Sequence, residues 1–110
     1  MPRVNWSGVH VVAVTPFDQK GQLDEQATRD LVELLIGEGA DGIVMAGSTG
    51  EWFSMTDEER IELFRIAKDT AGNRTVLLAG ISAISTQSAV HLAASARDLG
   101  LDGALLLPPP

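Results

Sequence analysis

The chain has 110 residues, 45% hydrophobic and 21% charged, a balance that fits one globular domain and excludes a disordered segment. A formal charge of −7 repels phosphate backbones and anionic bilayers, so neither nucleic acid nor membrane is an expected partner. With no cysteine and only two distant histidines, His10 and His91, no disulfide and no metal site is expected.

The N-terminus, Met1-Pro2-Arg3-Val4-Asn5-Trp6, lacks the charged start, apolar stretch and cleavage site of a signal peptide. No apolar run approaches the roughly 20 residues that span a bilayer, so the expected location is the cytoplasm. The first apolar run, Val9 to Val14, is rich in valine and predicts a strand. Thr15-Pro16 ends it, because proline has no N–H for a ladder, and Asp18-Gln19-Lys20-Gly21 predicts a turn.

A helix follows, with Ala27, Leu31, Leu34 and Leu35 as its apolar face, Asp24 as its cap and Gly37 and Gly39 as its stop. Ile43 to Ala46 is a short apolar run without alternation, the pattern of a strand covered on both faces. Thr56-Asp57-Glu58-Glu59 predicts a capping box, with Ile61, Phe64, Ala67 and Ala71 along the helix face and Gly72-Asn73 at its end. Thr75 to Ala79 is the third strand. Ser85-Thr86 opens a helix with Ala89, Ala93, Ala96 and Leu99 inward and Gly100 at its end. Gly103 to Leu107 is the fourth strand, cut off by Pro108, Pro109 and Pro110.

The order is β-α-β-α-β-α-β, with strands recurring at the spacing of a βαβ unit. Gly39-Ala40-Asp41-Gly42 and Gly100-Leu101-Asp102-Gly103 repeat the same helix-to-strand turn. Right-handed crossovers make the sheet parallel. A doubly wound open sheet and a barrel both satisfy this pattern; a barrel needs about 250 residues, so this chain would be about its first half.

The sharpest motif is Gly47-Ser48-Thr49-Gly50-Glu51, directly after the second strand. Flanking glycines let the backbone turn tightly, and the hydroxyls sit at the C-terminal rim of the sheet, where either architecture binds ligands. Such a loop can hold a carboxylate through N–H and O–H donors; the plainer reading is a polar turn. No lysine follows Gly50, and the glycine spacing does not fit a dinucleotide fingerprint. Gly47 and Gly50 are expected to give shape, and Glu51 to bond backbone donors. Trp52 and Phe53 are expected to pack at a subunit contact or beneath the loops, and His10 inside a barrel or at an interface.

Ala13-Val14-Thr15-Pro16-Phe17, the G-S-T-G-E loop running into Thr56-Asp57-Glu58-Glu59-Arg60, Ala79-Gly80 before Ser85-Thr86, and Gly100-Leu101-Asp102-Gly103-Ala104 occur in order. Together they resemble the dihydrodipicolinate synthase / N-acetylneuraminate lyase family over essentially the whole chain. The resemblance implies an α/β fold, a (β/α)₈ TIM barrel, with residues 1–110 as the N-terminal part of one domain covering the first four strands. It implies a class I lyase or synthase that forms a Schiff base with pyruvate or another 2-oxo acid, without a cofactor. An aldehyde or semialdehyde would be the second substrate, and a homotetramer or dimer the assembly.

By motif position the resemblance makes Ser48 the catalytic proton-relay hydroxyl, shared with a tyrosine after strand four, and Thr49 the carboxylate binder. Thr15 would touch the substrate region. Ile81 and Ile84 depart from the synthase pattern, and the triple proline differs from the usual Thr-Pro-aromatic run. The Ser48-Thr49 pair and the Ser85-Thr86 helix start look closer to the sialate-lyase and sugar-acid branches, so the aldehyde stays open. Lys20 and Lys68 are the only lysines and neither ends an apolar strand, and tyrosine is absent. The expected Schiff-base lysine and relay tyrosine therefore lie outside these residues, and two open strand edges add to the expectation of a longer protein. A self-assembling half-barrel is the alternative assembly, and a non-catalytic carboxylate-binding barrel or inactive fragment the alternative function.

Overall fold

Strands and helices alternate along residues 4–107, which the computed structural model describes. They are β1 (His10–Val12), α1 (Glu25–Gly37), β2 (Gly42–Met45), a 3₁₀ turn (Trp52–Ser54), α2 (Asp57–Ala71), β3 (Val76–Gly80), α3 (Thr86–Leu99) and β4 (Gly103–Leu105). The three terminal prolines invoked to end the last strand lie outside the described residues.

All neighbouring strands pair in parallel, in the order β1-β2-β3-β4. A doubly wound sheet reverses its order at a switch point, and this one never reverses. The helices follow the same order, α1 against α2 and α2 against α3, on one side of the sheet. That is a barrel wall.

The two faces of the wall divide by parity. Ile43, Met45, Leu77 and Ala79 point toward the helices and are fully buried among Val32, Leu63, Phe64, Ala67 and Leu92. Each of the larger side chains, such as Ile43, Met45 and Leu77, contributes about 1.5–3 kcal/mol. On the other face the register sets His10 beside Gly42 and Val12 beside Val44, which in turn lies beside Leu78. A Cβ on Gly42 would lie 2.3 Å from the His10 ring, so glycine gives the imidazole its room inside the wall.

The helix ends are built as local chemistry dictates. Asp24 accepts from Ala27 N at 2.9 Å, and Thr56 and Glu59 form the reciprocal capping box. Gly39 and Gly100 leave their helices at φ 92 and 86. In the repeated turn, Asp41 accepts from Val9 N at 2.8 Å and Asp102 from Leu77 N at 2.9 Å. Each aspartate thus bolts the strand it precedes to the neighbouring strand.

The structure corrects two expectations. The α1 face is rotated: Thr28 and Val32 are fully buried, whereas Leu34 is 57% exposed. Arg29 bonds Asp69 on α2 and Glu33 bonds Arg74 just beyond its C-terminus, so the stripe of Arg29 and Glu33, not Leu34, meets that neighbour. Strand pairing is also shorter than the apolar runs. Leu107 leaves the β4 ladder because its N–H donates to the Ser82 hydroxyl at 2.9 Å.

Candidate functional site

At the end of β2 the chain turns abruptly. Ala46 adopts φ 59, a left-handed conformation that costs an alanine about 1 kcal/mol or more. A tight turn follows, with Glu51 N donating to Ser48 O at 3.0 Å and Trp52 N to Gly47 O at 3.4 Å. Glu51 closes it at φ 60 and makes no side-chain cap to the 3₁₀ turn beyond. Its contribution to the loop is backbone conformation, not the carboxylate bond expected from sequence.

Three close approaches clamp this loop. A Cβ on Gly47 would lie 2.8 Å from Val12 Cγ1, and one on Gly50 2.9 Å from Ala13 O. One on Gly80 would lie 2.0 Å from Ala46 O, so β3 tolerates no side chain where the loop leaves β2. Thr15, 5% exposed, donates its hydroxyl to Gly50 O at 2.6 Å. That bond uses the hydroxyl's only proton, so this hydroxyl has none left to donate to a carboxylate.

Ser48 and Thr49 remain exposed at the rim. Among the described residues no acceptor takes their backbone N–H groups. They border a cavity of about 160 Å³ with Val12, Gly80, Ser82 and Leu105, at the C-terminal ends of the strands. The space suits a small acid. A larger cavity, about 520 Å³, opens at the opposite end. Its charged groups are committed: Asp41 and Asp102 hold strand amides, and Arg74 holds Glu33 and the carbonyls of Thr70 and Ala71. The smaller cavity is the better site because its donors are free.

Neither lysine lines the smaller cavity. Lys20 lies in the turn after β1, and Lys68 Nζ bonds Gly72 O and Asn73 Oδ1 at the far end of α2. Among the described residues, no three His, Cys, Asp or Glu side chains gather as a metal site, and no helix is long and apolar enough to cross a membrane.

The residue that sequence reasoning overlooked is Arg60. It is 2% exposed, donates to Ser82 O at 2.7 Å and Gly80 O at 2.8 Å, and stacks 5.3 Å from the Trp52 ring. Burial lowers its pKa and the charge of Asp57 opposes that. The signal was periodic: Arg60, Leu63, Phe64, Ala67 and Ala71 form one helical stripe. Trp52 meets Phe53 edge-on at 5.9 Å, while Phe53 itself is 66% exposed.

The sequence model of the dihydrodipicolinate synthetase family matches residues 5–109. An uncharacterized DapA-like lyase of Rhizobium meliloti is 44% identical over 97% of the chain and 36% of its own length. A 4-hydroxy-tetrahydrodipicolinate synthase of Moorella thermoacetica is 40% identical over 96% of the chain and 36% of its own length. A prophage protein of the dihydrodipicolinic acid synthase family from E. coli K12, solved with pyruvate, superposes with a TM-score of 0.92. It is 32% identical, over 94% of this chain and 35% of that one. The chain thus spans little more than a third of the length of the proteins it matches.

Proposed function

The chain belongs to the dihydrodipicolinate synthetase family of lyases, and from that premise we propose that it supplies the acid-binding wall of a Schiff-base enzyme acting on pyruvate or a related 2-oxo acid. The observation that carries this reading is the Ser48-Thr49 pair. Two exposed hydroxyls and two uncommitted N–H groups stand together on a rigid turn, beside a cavity the size of a small acid. A carboxylate needs such donors, fixed in advance, to bind without reorganising the loop.

Thr49 binds the carboxylate in this reading, and Ser48 both binds it and passes protons. Forming and breaking an imine requires proton transfers, and the neutral, nucleophilic enamine that follows forms only when a proton leaves the carbon beside the imine. A hydroxyl next to the bound acid is placed for that work. Thr15, Gly47, Gly50 and Glu51 serve by holding the loop in shape. The amine nucleophile is a lysine outside these 110 residues, since neither Lys20 nor Lys68 lines the cavity. The second substrate is an aldehyde or semialdehyde. The complete protein works in the cytoplasm as a homo-oligomer, without a cofactor.

Borohydride reduction of the full-length protein with pyruvate tests this. The expected result is a covalent gain of one reduced pyruvyl group on a lysine. Pyruvate binding without that adduct would make the protein a carboxylate-binding barrel instead.

A further inference from the structure

We propose that Arg60 is a positioning residue for the acid-binding rim, setting the exits of β3 and β4 against the Ser48-Thr49 loop. Its functional consequence rests on the reading of that loop as an acid grip.

Arg60 leaves the first turn of α2 and crosses the helix–sheet core to reach the end of β3. Among the described residues no carboxylate pairs with it, and its Nε has no partner. Burying a guanidinium with no ion-paired carboxylate, and only the charge of Asp57 to offset it, is costly, and a methionine would fill the same slot without desolvating a cation. What methionine lacks is direction. The two terminal nitrogens of Arg60 take the carbonyls of Gly80 and Ser82, two residues apart, and so set the backbone as it leaves the sheet.

Those carbonyls sit at the site. Gly80 lies against Ala46 O, the residue from which the Ser48-Thr49 turn departs. Ile81 N donates to Leu105 O at 3.0 Å, and the Ser82 hydroxyl accepts from Leu107 N at 2.9 Å. Gly80, Ser82, Leu105 and Leu107 border the same small cavity as Ser48 and Thr49. One guanidinium therefore holds a segment that touches the loop on one side and the β4 exit on the other. The Trp52 ring over Arg60 closes the circuit, because Trp52 is itself tied to Gly47 O. Supports of this kind hold binding groups in register without meeting the ligand.

The test compares Arg60→Lys, Arg60→Met and Ser82→Ala with the parent in the full-length protein, by residue-resolved hydrogen exchange and by pyruvate titration. Both Arg60 variants are expected to speed exchange of the Ile81 and Leu107 amides about tenfold, with α1 amides unchanged. Pyruvate affinity falls about tenfold in Arg60→Met and less in Arg60→Lys, which keeps a donor. Ser82→Ala speeds exchange at Leu107 alone. Should Arg60→Met fail to fold, Arg60→Lys carries the test. Unchanged exchange at both amides, or equal acceleration over the whole chain, would overturn the proposal, as would parental pyruvate affinity in Arg60→Met. A parent protein that ignores pyruvate while its variants show the local exchange pattern would instead remove the acid-grip reading and leave the positioning role.

Discussion

Thr15 and Gly50, 35 residues apart, are joined by a hydroxyl-to-carbonyl bond of 2.6 Å that ties the exit of β1 to the loop after β2. Neither residue is free to move without the other, so the rigidity of the Ser48-Thr49 turn is partly a property of β1. Thr15→Val keeps the shape and deletes the bond. It should cost about 1–2 kcal/mol in chemical denaturation and weaken pyruvate binding, while Thr15→Ser stays close to the parent. Equal stability and affinity in Thr15→Val would show that the bond contributes nothing.

Gly80 makes a sharper demand on shape. A methyl group there would lie 2.0 Å from Ala46 O, a backbone atom that moves only if the β2 exit moves. Gly80→Ala should cost about 3 kcal/mol or displace the loop, seen as lost pyruvate binding at low temperature. Wild-type midpoint and affinity in that variant would contradict the packing described here.

What the sequence made legible was local. The Asp24 cap, the Thr56–Glu59 box and the left-handed exits at Gly39 and Gly100 all form within three or four residues, so spacing alone announces them. Strand order was not legible from periodicity, because a barrel and a doubly wound sheet repeat the same βαβ unit; the ladders decide it. Leu34 looked like a core residue because helical spacing fixes a stripe and not the direction in which neighbouring helices lie. Arg60 and the Thr15 bond depend on partners 20 and 35 residues away. The site loop was found by its composition, and its supports were hidden by their distance in sequence.

Exposed ion pairs on and beside α1 and α2 make the stability of the fold acid-sensitive. Arg74 hydrogen-bonds Glu33 and lowers its pKa below the ordinary 4.5, and Arg65 does the same to Glu62. A carboxylate with a depressed folded pKa adds stability above its unfolded pKa and loses it as pH falls through the folded value. Glu33→Gln should therefore be less stable than the parent at neutral pH, and the gap should close as pH falls below the ordinary carboxylate range. Both side chains are solvent-exposed, so about 1 M salt should narrow the same gap. A gap that persists in acid would mean that Glu33 acts through packing and not through charge.

A crystal structure of the full-length protein with pyruvate would show directly which residues hold the acid. Carboxylate oxygens are expected within hydrogen-bonding distance of the hydroxyls and amides of Ser48 and Thr49, with the loop unmoved. A carboxylate held by other residues, with Ser48 and Thr49 facing only solvent, would contradict the acid-grip reading.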